Sequence, residues 1–171
     1  MKRLLILGVA VVIVAAVVAI AAFGGGGGDD SAAPAANTTV STDEIGDAGE
    51  VLVDSEGRAL YASEQEIAAG MVLCAEGCTS IWEPLTLDTG APTGNSVSGD
   101  LGVIERPDGS RQVTLDGKLL YSFVEDEPGE VTGDGFEDAF GGQTLTWRVV
   151  HPDGSTGSSG SDTPDSRPFG Y

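Results

Sequence analysis

Two stretches of the chain, "RALYASEQE" at residues 58–66 and "KLLYSFVED" at residues 118–126, share one outline. Each has a basic residue, then Leu-Tyr, then an acid five places beyond the Tyr. Side chains alternate faces along a strand, so Leu119, Tyr121 and Phe123 project from one face. In the first copy Tyr61 shares its face with Ala59 and Ser63, a thinner apolar stripe. Glu66 and Asp126 fall just past their strands, where an acid accepts backbone N–H groups or the hydroxyl of a nearby Tyr. Neither copy has enough apolar surface to close a core alone, so the aromatic faces are expected to meet across an internal pseudo-symmetry. Tyr61 and Glu66 then stand where Tyr121 and Asp126 stand in the second copy. A duplicated β-hairpin accounts for the pattern better than catalysis does.

The rest of the central chain has the same character. "EVLVD" leads through "SEG" to "RALYA", "LGVIE" through "RPDGS" to "RQVTL", and "TLTWRVV" runs into "HPDGS". Asp116-Gly117 between two strand-like runs is a two-residue hairpin signal, because type I′ turns need positive φ at both central positions. Pro107-Asp108-Gly109 presets a turn through the fixed φ of Pro. Helical periodicity is weak, confined to "SEQEIAAGMVL" and "CTSIW". The expected fold is mainly β: a compact antiparallel domain of two hairpin repeats with one or two short helical turns, behind an N-terminal transmembrane or signal helix. That domain spans residues 47–154, enough to bury about two-thirds of its unfolded surface.

Lys2 and Arg3 precede twenty residues, 4–23, without a charged or strongly polar side chain. As a helix at about 1.5 Å per residue this run covers about 30 Å, the thickness of a bilayer's hydrocarbon core. The basic pair would stay inside and everything after Phe23 outside. The length favours an uncleaved anchor over a signal peptide, whose apolar core is about 7–15 residues; Ala19-Ile20-Ala21 is the available cleavage site. Residues 1–28 are thus anchor or signal plus Gly spacer. Residues 29–46 read as a disordered acidic linker and 155–171 as a flexible tail in which Phe169 and Tyr171 could dock. The expected location is the cell membrane, single-pass with the domain extracytoplasmic, or secreted if the segment is cleaved.

Charge excludes one class of partner. All 27 acids follow Gly28 and only six of the eight basic residues do, so the exported part carries a formal −21 (six minus 27). Nucleic acid is not a partner for such a surface, since binding replaces phosphate counterions with Lys and Arg. The membrane is met through residues 4–23 only.

Cys74 and Cys78 are the two cysteines of an exported chain, which implies a structural disulfide. A redox pair would want Cys-x-x-Cys spacing and a basic neighbour, and here Glu76 opposes thiolate formation. His151 sits beside a turn as an ordinary surface His, and no hydrolase, phosphate-loop or dinucleotide pattern is present. The Gly-rich acidic stretch 125–142 offers oxygen ligands, with Asp126, Glu130, Asp134 and Asp138 as Ca²⁺ candidates. Their spacing departs from the twelve-residue calcium loop, and solvated acids are the plainer account. Trp82, near the Cys loop, and Trp147 fit core packing better than a carbohydrate platform.

Taken together, these residues resemble the secreted-repeat family of bacterial and archaeal lipoproteins with a Tyr-x-aromatic-x-x-Asp motif. "YSFVED" fits the motif fully; "YASEQE" departs from it, with Ser63 at the aromatic place and Glu66 for Asp. "CAEGCTSIWEPL" is similar to the family's Cys loop leading to Trp-Pro-Pro-Leu, with Glu83 for the first Pro. "RPDGSRQVTLDGKLLYSF" and "GFEDAFGGQTLTWRVVHPDG" look like its second repeat. The family's lipid-modified Cys has no counterpart, since no Cys precedes Cys74. The resemblance implies no activity. The expected role is a non-enzymatic binding or structural domain of the cell envelope, without cofactor, meeting an envelope protein or small ligand. The alternative is an extracytoplasmic redox or electron-transfer accessory using Cys74, Cys78 and the aromatics.

Overall fold

The computed structural model describes residues 39–157. The first repeat opens with a hairpin of β1 (Ser41–Ile45) and β2 (Gly49–Val53), joined by a 3-10 turn at Gly46–Ala48. Then come β3 (Leu60–Ser63), helix α1 (Glu64–Ala69), a 3-10 turn at Glu76–Ser80 and β4 (Trp82–Pro84). The second repeat supplies β5 (Leu101–Glu105), β6 (Arg111–Leu115), β7 (Lys118–Leu119), β8 (Tyr121–Phe123), β9 (Glu137–Phe140) and β10 (Gln143–Val149). Every strand pairing is antiparallel, in sheets ordered β1-β2, β5-β6-β7 and β4-β8-β3-β10-β9.

The long run 118–124 reads as one strand in sequence but breaks at Leu120. Asp116 and Gly117, at φ 49° and 77°, form the expected tight turn, which pairs β7 with β6. Past Leu120 the chain leaves that sheet, and β8 pairs with β3 and β4. The two tyrosines face each other in register, Tyr61 against Tyr121. An antiparallel pair whose equivalent residues oppose one another carries a local twofold axis, and the repeats are arranged about it.

The strand following each Tyr strand crosses to the other repeat. β4 pairs with β8, placing Trp82 opposite Phe123, and β10 pairs with β3, placing Trp147 opposite Ser63. The crossover continues beyond the strand ends with matched bonds. Val150 N donates to Leu60 O (2.9 Å) and Leu52 N to Val150 O (2.8 Å); Leu85 N donates to Leu120 O (2.9 Å) and Val113 N to Leu85 O (2.8 Å). Each repeat therefore completes its partner's sheet rather than its own.

The central sheet is buried on both faces. One face carries Tyr61, Tyr121, Phe123, Trp82, Trp147 and Val149, packed with the two cysteines. The other carries Leu60, Ala62, Leu120 and Val150, packed on Leu52, Val113 and Leu115 of the hairpins. Full burial of one such aliphatic side chain stabilises by about 1.5–3 kcal/mol.

Helix α1 starts where Ser63 Oγ accepts from Glu66 N (3.5 Å) and ends at Gly70, whose φ of 65° suits the left-handed closing position. It is shorter than the helical pattern in "SEQEIAAGMVL" suggests, because Gly70 stops it.

Both expected domain boundaries shift outwards. Residues 41–45, assigned to the linker 29–46, form β1 across from β2, and Val40 is fully buried. Only Val40 and Ile45 are apolar there, while Asp43 and Glu44 stay in water, so an edge strand reads as a polar linker. At the other end Thr156 bridges to Val150, and Gly157 N donates to Val149 O (2.9 Å), so the order extends into the expected tail. Among the described residues no helix is long and apolar enough to cross a membrane. The apolar run 4–23, Phe169 and Tyr171 lie outside the described residues.

Candidate functional site

The sheet register that sets Tyr61 against Tyr121 sends each hydroxyl to the acid of the other repeat. Tyr61 Oη donates to Asp126 Oδ2, and Tyr121 Oη donates to Glu66 Oε1 at 3.0 Å. The acids bind backbone as well. Asp126 Oδ1 accepts from Thr132 N (3.0 Å) and Thr132 Oγ1. Glu66 Oε1 accepts from Leu73 N (2.7 Å) and Cys74 N (2.8 Å). Each motif acid therefore fixes the loop after its own strand while holding the Tyr of the other repeat. The Ser-for-aromatic departure at residue 63 goes together with the Glu-for-Asp one at residue 66. Ser63 caps a helix where the second repeat makes a turn, and the longer Glu reaches Tyr121 from that helix.

Both phenols resist ionisation. Burial raises the Tyr61 pKa, and its bond to Asp126 raises it further. Burial likewise raises that of Tyr121, aided by the Glu66 charge and opposed by Arg106. A tyrosinate next to a carboxylate in a desolvated site is doubly unfavourable.

Around the axis the rings form a column. Trp147 stacks on Trp82 (centroids 4.0 Å apart, 11° between planes), and Trp82 stacks on Phe123 (4.5 Å, 19°). Tyr61 meets Trp82 edge-on at 5.4 Å, and Tyr121 meets Trp147 edge-on at 5.1 Å, as the twofold requires. Trp82 Nε1 donates to Asp138 Oδ2 (2.6 Å). Core packing is thus where both tryptophans go.

Sequence reasoning missed Arg106. Its backbone closes the Pro-Asp-Gly turn, Gly109 N donating to its carbonyl at 2.9 Å, but its side chain is buried. The guanidinium donates to Tyr121 Oη (3.1 Å), Gln112 Oε1 and the Cys74 carbonyl. Turn residues are usually exposed, so nothing local signals this; the one hint is an Arg in a chain with so few. His151 corrects the surface assignment: it is 8% exposed, with Nδ1 2.8 Å from the Glu50 carbonyl and Nε2 against the Gly157 carbonyl. The order past residue 154 is what covers it.

Cys74 and Cys78 form a disulfide, with both residues fully buried and Cα atoms 5.3 Å apart. The Ca²⁺ candidates are not brought together. Asp126 holds Tyr61 and Thr132, Asp134 Oδ1 accepts from Val149 N (3.0 Å), Asp138 holds Trp82, and Glu130 Oε2 accepts from Glu127 N (3.2 Å). Among the described residues no three His, Cys, Asp or Glu side chains cluster as metal ligands.

Residues 102–150 match the family described as a secreted repeat of unknown function. The matched segment runs from β5 to the end of β10, the second repeat. No curated protein and no solved structure matches the chain. The first repeat lies outside the matched segment, and the mirrored hydrogen bonds of Val150 and Leu85 are what relate it to the second.

Proposed function

We infer that this is an exported, non-enzymatic domain of the cell envelope that binds a partner protein or small ligand, with the interlocked repeats as its scaffold. The observation that carries this is the crossed exchange of Tyr61 with Asp126 and Tyr121 with Glu66. It commits the motif's polar groups to holding the two repeats together in a buried core, where they stabilise a shape and do not face a substrate. Export is supported by the match to a secreted family and by the disulfide. The anchor through residues 4–23 belongs to the same proposal and rests on the length and polarity of that run.

The contiguous column of Trp147, Trp82 and Phe123 favours a second role, an electron-transfer accessory. Purified protein separates the two. A binding domain shows no thiol-dependent or cofactor-dependent absorbance change, and its two cysteines take up no alkylating reagent under native conditions because the disulfide presents no free thiol. The double substitution Cys74→Ala, Cys78→Ala then lowers stability by about 2 kcal/mol through lost loop entropy and leaves any spectrum unchanged. A thiol-dependent spectral change, or a disulfide that exchanges readily with a mild dithiol, overturns the binding role.

A further inference from the structure

His151 is the one histidine of the chain, and both nitrogens of its ring meet backbone carbonyls. Nδ1 lies 2.8 Å from Glu50 O on β2, and Nε2 lies against Gly157 O. A carbonyl oxygen only accepts, so each contact needs an N–H on the ring. Neutral imidazole carries one N–H and imidazolium carries two, so only the cation satisfies both carbonyls. With one proton gone, a nitrogen lone pair faces a carbonyl oxygen. The ring is 8% exposed, which leaves water little room to come between them.

The two carbonyls are held unequally. Glu50 sits within the β1–β2 pairing, opposite Glu44. Gly157 belongs to a strap, residues 155–157, that leaves the Pro-Asp-Gly turn and folds back on the end of β10. That strap is fixed by Gly157 N donating to Val149 O (2.9 Å), by the bridge from Thr156 to Val150, and by His151 N donating to Ser155 O (2.9 Å). Acids dominate the surroundings of the ring. Glu50 and Asp153 line the same shallow cavity of about 340 Å³ as His151, together with Ser98, Pro152 and Ser155. The Asp153 carboxyl is held below the usual carboxylate range, chiefly by bonds from Ser155 and in smaller part by the charge of His151. From the β6–β7 hairpin, Asp116 packs against Gly154 with Lys118 alongside, and these two pair with each other at 3.9 Å. The stem of Arg148 approaches Gly157, but its guanidinium is engaged by Glu64 at 2.7 Å.

We propose that His151 is a pH-sensitive latch: as imidazolium it ties the 155–157 strap to β2, and on giving its Nε2 proton to solvent it releases the strap. The Nε2 side yields because sheet pairing holds Glu50 in place, so the neutral ring keeps its Nδ1–H on Glu50 O. Release uncovers the ring, opens the cavity beside it and frees the chain from Ser155 onwards. The tie is complete at low pH and is lost as pH rises through the range in which the imidazole gives up its proton. The latch is independent of what the domain binds.

The test is nitrogen NMR of the isotopically labelled full chain in detergent from about pH 5 to about pH 9, which spans the range where histidine changes charge. The single imidazole gives one pair of ring-nitrogen signals. Both nitrogens should be protonated at the acid end, and Nδ1 alone at the alkaline end. Hydrogen-exchange protection of the Gly157 amide, corrected for the intrinsic rate at each pH, should fall at least about tenfold as the ring loses its proton, the weight of a charge-assisted hydrogen bond. The Leu52 amide, which donates to Val150 O in the adjoining sheet, should keep its protection. His151→Gln has no proton to lose in this range, so its Gly157 protection should not change with pH. If that variant does not fold, the ring signals and the two amides of the unsubstituted chain decide the matter. A ring singly protonated at about pH 5 or doubly protonated at about pH 9 overturns the latch. So does a neutral ring that keeps its proton on Nε2, Gly157 protection that stays flat while the ring titrates, or a pH response that persists in His151→Gln. Protection lost at Leu52 together with Gly157 means unfolding of the domain and overturns it as well.

Discussion

Tyr61→Phe isolates the crossed exchange. The substitution keeps the ring on Trp82 and removes a hydroxyl that donates to Asp126 Oδ2 and accepts from Gly133 N (3.2 Å). Asp126 is 4% exposed, so water does not readily replace the lost donor. An unpaired buried carboxylate oxygen costs about 1.5–3 kcal/mol and the orphaned amide about 1, giving about 3 kcal/mol in total. With about 2.1 cal/mol/K of unfolding entropy per residue over a domain of roughly 120 residues, that lowers Tm by about 12 °C. The decisive assay is a pair of double-mutant cycles by denaturant unfolding. Tyr61→Phe with Asp126→Asn should show a coupling of about 1–2 kcal/mol, because the two side chains share one bond across the repeats. Tyr61→Phe with Glu66→Gln, the pair within one repeat, should add to within about 0.5 kcal/mol. Coupling within the repeat as large as across it refutes the crossed arrangement, and so does additivity in both cycles.

Phe123→Ala removes a 2%-exposed ring that stacks on Trp82 and should cost about 3–5 kcal/mol in thermal or denaturant unfolding; unchanged stability with lost partner binding would make Phe123 a recognition residue. Gly133→Ala would bring its Cβ to 2.7 Å from Trp82 Cη2 and 3.1 Å from the Tyr61 ring. Neither ring has room to move, so it should destabilise by about 1–3 kcal/mol by the same measurement. Both phenols have folded-state pKa values raised above the ordinary 10.0. The folded state then keeps protons that the unfolded state releases. Stability from this source is intact below pH 10 and falls above it, by about 1.4 kcal/mol per pH unit for each Tyr. Phenolate absorbance of these two residues should appear only with unfolding; titration of more than one of the chain's three tyrosines near pH 10 in the folded protein contradicts their burial.

Much of this molecule is written in short stretches. Alternation placed Tyr61, Tyr121 and Phe123 on one inward face, because a strand offers only two faces and one of them must leave water. Asp116-Gly117 dictated its turn, since few residue pairs accept positive φ twice in succession. Two cysteines four apart in a chain read as exported implied their bond, and acids placed five residues past a Tyr implied caps. What the sequence could not carry is which strand meets which. The crossover of β4 to β8 and of β10 to β3, the break at Leu120, and the exchange of hydroxyls between repeats depend on two half-cores closing over one another, and nothing local encodes a choice of partner. β1 hid in a polar stretch because an edge strand needs only Val40 and Ile45 turned inward. Arg106 and His151 became core residues because other chain came to cover them, the distant Cys74 carbonyl in one case and the distant Glu50 carbonyl with the nearby residues 155–157 in the other. The unequal use of Glu66 and Asp126 is of the same kind. Their hydrogen-bonding capacity is a property of the residue, but which oxygen is left over is decided only by what the fold brings within 3 Å.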